Sequence, residues 1–191
     1  MIEGKNVFIR QLELGDEELL HRWRNNAVGN EYCGLSYGFL LSKEGLRLDI
    51  QKDIENRDLF PDEKMFIIYK KGSLQAIGNI SYRSWDKRNR SAEFGIEIGE
   101  VDERGKGYGF DALYHFVDFM FRFLNLNRIE LKTMGDNMNA QRLYERLGFK
   151  KIGLIREKSF DCRTCQYSDV LYMDLLKREW DERSEEYSAQ L

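Results

Sequence analysis

Proline is almost absent from this chain: Pro61 is the single one among 191 residues, and no Gly/Ser-rich linker occurs. Without such spacers nothing marks a domain boundary, so residues 1–191 read as one domain, with 177–191 as a charged tail. Cysteine is scarce as well. Three of them, an odd number, do not build a disulfide scaffold and suit a reducing cytosol. Cys162 and Cys165 have Cys-x-x-Cys spacing, yet there is no second pair and Cys33 lies far away, so no metal site is expected. The two histidines, His21 and His115, fall on helical segments without ligand spacing. No apolar run is long enough to span a bilayer. The opening "MIEGKNVFIRQLELGD" lacks the basic and apolar regions of a secretory signal. A cytoplasmic protein without a membrane partner is expected. The 30 basic and 33 acidic residues leave a net charge of −3, which makes nucleic acid a poor partner.

What is present is enough apolar material for a core, 42% of the chain, arranged in two periods. "NVFIRQL" (6–12) alternates as a strand does. "DEELLHRWRNN" (16–26) reads as a helix with Asp16 as its cap, and residues 42–57 as a second helix capped by Ser42. "KMFIIYKKGSLQAIGNISYRSWD" predicts two strands joined at Lys71-Gly72, and "RSAEFGIEIGE" another. "RIELKTM" (128–134), "KKIGLIRE" and "QYSDVLYMDLL" predict further strands, with a helix from about Met138 to Leu147 between the first two. The segment "KREWDERSEEY" predicts a solvated helix. Strands and helices mixed around one sheet make the fold class α/β or α+β.

The most informative stretch is "DERGKGYGFDALYHFVDFMF", residues 102–121. Glycines at 105, 107 and 109 leave a bare backbone, and a long apolar helix follows. Phe110, Leu113, Val117, Phe121 and Leu124 form one stripe and Ala112, Phe116, Phe119 and Phe123 a second. A bare loop feeding a helix N-terminus offers unpaired N–H groups and the positive end of the dipole, which suit a phosphate. The loop is not a P-loop, because Lys106 is followed by Gly107 and not by Ser or Thr. It is not a dinucleotide fingerprint, because Phe110 stands where the third glycine belongs. A glycine-rich turn without a ligand remains open on the loop alone.

A second motif follows a strand: "DNMNAQRLYERLGFKK" (136–151), ending in Leu147-Gly148-Phe149, with Gly148 placed to cap the helix. Together, Arg104-x-x-Gly107-x-Gly109 and Asn137-x-x-Ala140-x-x-Leu143-Tyr144-Glu145-x-Leu147-Gly148-Phe149 resemble the GNAT superfamily of acetyl-CoA-dependent N-acetyltransferases. The flanks "VFIRQLELGDEELLHRWRNN", "AEFGIEIGE" and "GLIREKSFDCRTCQYSDVLYMDLLKREW" resemble its RimJ/RimL-type branch. The resemblance implies a mixed, mostly antiparallel central sheet flanked by helices. The sheet would splay between the strands near 91–99 and 128–134, with pantetheine in the gap. It implies that the loop Arg104, Gly105, Lys106, Gly107, Tyr108 and Gly109 holds the CoA pyrophosphate through backbone amides. Backbone groups near Ile98 and Gly99 would face the pantetheine and acetyl group, Asn137 the cofactor arm, and Tyr144 the thioester sulfur. The family often has Pro three residues before the loop's first residue; Val101 stands here, a departure that touches the strand exit and not the backbone contacts. The implied partners are acetyl-CoA as co-substrate and an amine acceptor, with room for a homodimer or higher homo-oligomer.

The chemistry needs few side chains. A neutral amine attacks the thioester, backbone N–H groups stabilise the oxyanion, and Tyr144 returns a proton to the leaving thiolate. Glu97 is the candidate base because it lies nearest the expected acetyl site; Glu93 and Glu130 are other strand carboxylates, and a base acting through water, or none, stays open. Trp23 and Trp85 are either acceptor-pocket or core residues. Residues 27–45 are expected to shape acceptor choice. Glu31, Glu93 and Glu97 suggest a negatively lined mouth that favours a cationic amine. Protein N-termini, polyamines, aminoglycosides and other small amines all remain open as acceptors. The alternative to an enzyme is a GNAT-like acyl-CoA sensor without turnover.

Overall fold

Alternating apolar residues along Phe66-Ile67-Ile68 commit the second long strand to two buried faces, and the architecture follows from that. The computed structural model describes residues 1–26, 30, 38–161 and 164–188, with side chains to Ser184. Glu31, Cys33, Cys162 and most of the 27–45 segment therefore lie outside the described residues. Strands β1 (Ile2–Glu3), β2 (Val7–Gln11), β3 (Lys64–Lys70), β4 (Ala76–Asp86), β5 (Ser91–Ile98), β6 (Arg128–Met134), β7 (Lys150–Asp161) and β8 (Gln166–Leu176) form one sheet. Its order is β1-β2-β3-β4-β5-β6-β8-β7. Every neighbouring pair is antiparallel except β5–β6.

Helices cover both faces. Phe66, Ile68, Ile80, Tyr82 and Phe94 pack against α3 (Tyr108–Arg122), α4 (Met138–Leu147) and α5 (Lys177–Ser188) in one large core. Ile67 points the other way, into a smaller core with Leu20 and Trp23 of α1 (Glu17–Arg24) and Leu46 and Ile50 of α2 (Lys43–Glu55). Successive strand residues face opposite sides, so Asn79 and Glu97, registered beside Ile67 across β3–β4–β5, lie on the α1/α2 side.

Three local expectations meet different outcomes. Ser42 caps α2 as expected, its hydroxyl accepting from Gly45 N at 3.0 Å. Asp16 precedes α1 but makes no side-chain cap bond; its buried carboxylate instead pairs with Arg10 at 2.8 Å and accepts from Glu13 N. A bidentate guanidinium is a stronger partner for a desolvated carboxylate than a helix N–H. The C-terminal segment is helical but not solvated: Trp180 is fully buried in the large core and donates its indole N–H to Asp118 at 3.1 Å. One indole removes more apolar surface from water than the helix's charges can hold outside. Asp111, in the first turn of α3, accepts from the N–H groups of Lys5, Asn6 and Val7 and so ties the β1–β2 turn to the helix. No described helix is long and apolar enough to cross a membrane.

Candidate active site

The site begins where β5 and β6 part. They pair in parallel only at Ser91–Arg128, Ala92–Ile129 and Glu93–Glu130. Beyond that β5 continues to Ile98 and β6 to Met134, with β6 paired to β8 along its other edge. The expected splay is therefore present, and it leaves each strand a free edge facing the gap. A cleft of about 520 Å3 runs through it. Ile98, Arg104, Gly109, Ala140, Leu143 and Tyr144 line it on the α3/α4 side, and Arg24, Met65, Asn79, Ser81, Arg83 and Glu97 on the α1/α2 side.

At one end of the cleft the chain leaves β5 through a short 3-10 turn, Val101–Glu103, and enters the glycine loop. Gly105 has φ +74° and Gly107 φ +89°, and a Cβ added at either would meet nothing within 4 Å. Gly107 is the N-cap of α3 and has no side chain with which to cap it. The first N–H groups of α3 thus keep their donor capacity. Glu103 braces the loop: Lys70 reaches it at 2.9 Å and Lys106 at 3.2 Å, and the Lys70 ammonium also sits over the Tyr108 ring. These ion pairs hold the Glu103 carboxyl below its ordinary pKa, the hydrogen bond from Lys70 being the main cause. Arg104 donates from Nε to the Ile98 carbonyl at 2.8 Å, fastening the loop to the strand end.

The remaining predicted residues fall into place unevenly. Tyr144 is 8% exposed, with its ring edge-on to Phe94 at 5.8 Å and to Phe149 at 6.1 Å. Asn137 is the N-cap of α4, accepting from Ala140 N at 3.1 Å; it does not border the cleft. Gly99 is buried under the Trp23 indole, where a Cβ would lie 2.2 Å from the ring. Trp23 is thus a core residue, with its indole N–H on Glu100 at 2.9 Å. Glu93 is held in ion pairs by Arg83 and by Lys132.

Glu97 does border the cleft. One carboxylate oxygen accepts from Asn79 Nδ2 at 2.9 Å. The other, Oε1, is buried and has no hydrogen-bond partner among the described residues. Leaving such an acceptor unmet costs about 1–3 kcal/mol, more for a charged group. Sequence reasoning missed Asn79 and Arg24. Asn79 had a legible signal, a polar residue inside the apolar strand "AIGNISY", since a buried polar group is the informative kind. Arg24 had none, because its segment reads as an ordinary charged helix end. In the fold, its main chain is pinned by Phe39 N and Asn30 Nδ2 on the Arg24 carbonyl, at 2.9 and 3.0 Å. Its guanidinium lies against the thioether of Met65 at 3.3 Å. Burial pushes its pKa down, and Glu97 and then Asp49 pull it part of the way back. Of the carboxylates expected at the mouth, Glu31 lies outside the described residues and Glu93 is ion-paired; among the described residues the cleft lining includes Glu97 and three arginines, Arg24, Arg83 and Arg104.

A splayed β5–β6 pair, a bare loop opening α3 and a tyrosine on α4 across the gap match a known arrangement, and a family model described as "Acetyltransferase (GNAT) domain" fits residues 6–150. The chain belongs to the GNAT acetyltransferases. Among similar proteins is the spermidine N(1)-acetyltransferase of Vibrio cholerae serotype O1, 29% identical over 182 residues, which cover 95% of this chain and 99% of that one. An uncharacterized N-acetyltransferase p20 of Bacillus licheniformis is 29% identical over 176 residues, 92% of this chain and 96% of its own. The crystal structure of spermidine N-acetyltransferase from Vibrio cholerae in complex with CoA and spermine superposes with a TM-score of 0.80 at 28% identity, covering 92% of this chain and 98% of that one. The GNAT chain described here is accordingly an N-acetyltransferase with a single mixed, mostly antiparallel sheet. Among its described residues no group of three His, Cys, Asp or Glu side chains is arranged to hold a metal ion.

Proposed function

We propose that this GNAT enzyme moves the acetyl group of acetyl-CoA to a primary amine by direct attack on the thioester. The observation that carries the reading is Glu97 Oε1, a buried carboxylate oxygen without a donor among the described residues, on a cleft that Tyr144 also lines. An amine N–H is the donor that oxygen lacks. The pyrophosphate rests on the amides from Arg104 to Gly109, which the uncapped start of α3 supports. Pantetheine extends along the free edge of β5 near Ile98 and Gly99.

The bond changes then balance. The amine nitrogen bonds to the carbonyl carbon while the C–S bond breaks. Glu97, directly or through a water, takes the proton that the amine gives up. N–H groups on the free edge of β5 stabilise the oxyanion, and the Tyr144 hydroxyl supplies the proton that leaves CoA as a thiol. Holding amine and thioester in one cleft lowers the barrier further by proximity. Thiol release measured with acetyl-CoA against a panel of spermidine, other small amines, aminoglycosides and peptide N-termini tests the proposal. Turnover with one or more amines supports it, and tight binding of acetyl-CoA without turnover identifies a sensor.

Glu97→Gln keeps the contact with Asn79 but removes the proton acceptor. It is expected to lower kcat roughly tenfold to a hundredfold, with acetyl-CoA affinity unchanged by calorimetry. An unaltered kcat would assign deprotonation to bulk water.

Two acceptor classes follow from likeness. The RimJ/RimL-type flanks point to protein N-termini, and the Vibrio relative's name to spermidine. Self-association is best suited to β7, an edge strand exposed along most of its length, which shows Ile152, Leu154 and Phe160 to solvent. An exposed apolar edge of this kind favours pairing with another copy. Light scattering is expected to give at least twice the chain mass; a monomer at all concentrations would refute this.

A further inference from the structure

Arg24 is a half-buried cation without an ion-paired anion among the described residues. The hydrogen bond of its guanidinium among them is to the Met65 thioether, and no described carboxylate lies within ion-pairing range of it. Leaving a desolvated charge uncompensated is costly, and the planar guanidinium is shaped for bidentate contact with a carboxylate. The side chain also stands at a junction. Arg24, Met65, Ser81 and Arg83 line both the catalytic cleft and a neighbouring groove of about 550 Å3, which Leu20, Leu46 and Ile50 line together with the charged Asp49, Asp53, Glu63 and Lys64. The other cleft guanidinium groups are occupied, Arg83 by Glu93 and Arg104 by the Ile98 carbonyl.

Given the acetyl-transfer reading above, on which this rests, we infer that the acceptor is an amino carboxylate with an apolar side chain. Its amine lies at Glu97, its carboxylate on Arg24, and its side chain in the groove beneath α2. Glu97 and Arg24 line one cleft, so an acceptor carrying an amine and a carboxylate can meet both.

The test compares kcat/KM for leucine and phenylalanine with that for their carboxamides, their decarboxylated amines and spermidine. Wild type is expected to prefer the free acid over its carboxamide by about 30-fold or more, the lower end of what truncating a buried charge pair costs. In Arg24→Met that ratio falls toward one, chiefly through KM of the acid, and in Arg24→Lys it is intermediate. The thermal midpoint of Arg24→Met should not fall, because methionine removes a buried charge that the fold leaves unpaired. Spermidine or the carboxamides serving as well as the free acids would overturn this inference and leave the acetyltransferase reading intact. Equal losses on acid and carboxamide in Arg24→Met would also overturn it, making Arg24 a structural residue. No transfer to any amine in the panel would overturn both.

Discussion

A Gly107→Val protein is expected to fold and to lose about 100-fold or more of its affinity for acetyl-CoA. Gly107 sits at φ +89° as the N-cap of α3, a conformation that a β-branched residue adopts only under strain. The space a Cβ enters there is open, with no described protein atom within 4 Å, and on the proposed reading a valine there obstructs a phosphate approaching the loop amides. Each charge-assisted hydrogen bond to such an anion is worth about 1.5–3 kcal/mol. Losing two therefore accounts for the predicted drop. Strain alone is separable from blocked approach by Gly15→Val, since Gly15 has φ +107° and equally empty surroundings in the turn before α1. That variant should lose a comparable amount of stability, of order 1–3 kcal/mol, and keep its affinity. Arg104→Ala should weaken binding only modestly, because the Arg104 contact is to the Ile98 carbonyl and the loop's donors are backbone groups. Calorimetric titration with acetyl-CoA, alongside thermal unfolding, decides the matter: a folded Gly107→Val protein with wild-type affinity sinks the assignment of the loop.

Tyr144→Phe is expected to lower kcat by about 100-fold, within the range general acid catalysis supplies, and to leave acetyl-CoA affinity unchanged. The substitution retains the ring and so its contacts with Phe94 and Phe149, and stability should move by less than about 1 kcal/mol. What is lost is the hydroxyl proton. A phenol with a reference pKa near 10 is a weaker acid than a thiol near 8.5. Transfer therefore needs the short, preorganised contact that the cleft wall gives a side chain held by two aromatic neighbours. Presteady-state thiol release separates this step from binding. If turnover with the best acceptor stays near wild type, Tyr144 is a packing residue and the thiolate leaves unassisted.

Much of this was legible because the signals were local. The αL glycine closing α4, the serine capping α2 and the bare loop before α3 each depend on backbone geometry within a few residues. The β5–β6 splay was reached through likeness to a family, and the register gives its physical form: pairing that stops at Glu93–Glu130 while both strands continue. Other readings failed where a distant partner outbid a local one. Asp16 has the residue type of a helix cap, yet Arg10 from the neighbouring strand takes its carboxylate. The segment at 177–188 looks solvated by composition, yet Trp180 anchors it in the core.

By itself the sequence determined the order of the elements from β2 onward, the bare glycine loop and the tyrosine-bearing helix, because helix periodicity, capping and glycine conformation act over a few neighbouring residues. Only the tertiary structure decided the electrostatics of the cleft. Glu93 and Glu97 are four residues apart on one strand face, but Arg83 and Lys132 neutralise the first, while Asn79 satisfies only one oxygen of the second among the described residues. Arg24, 73 positions before Glu97 in the chain, comes to share its cleft without an ion pair among the described residues. Coulomb energy depends on separation and desolvation in space, and neither can be read from spacing along the chain.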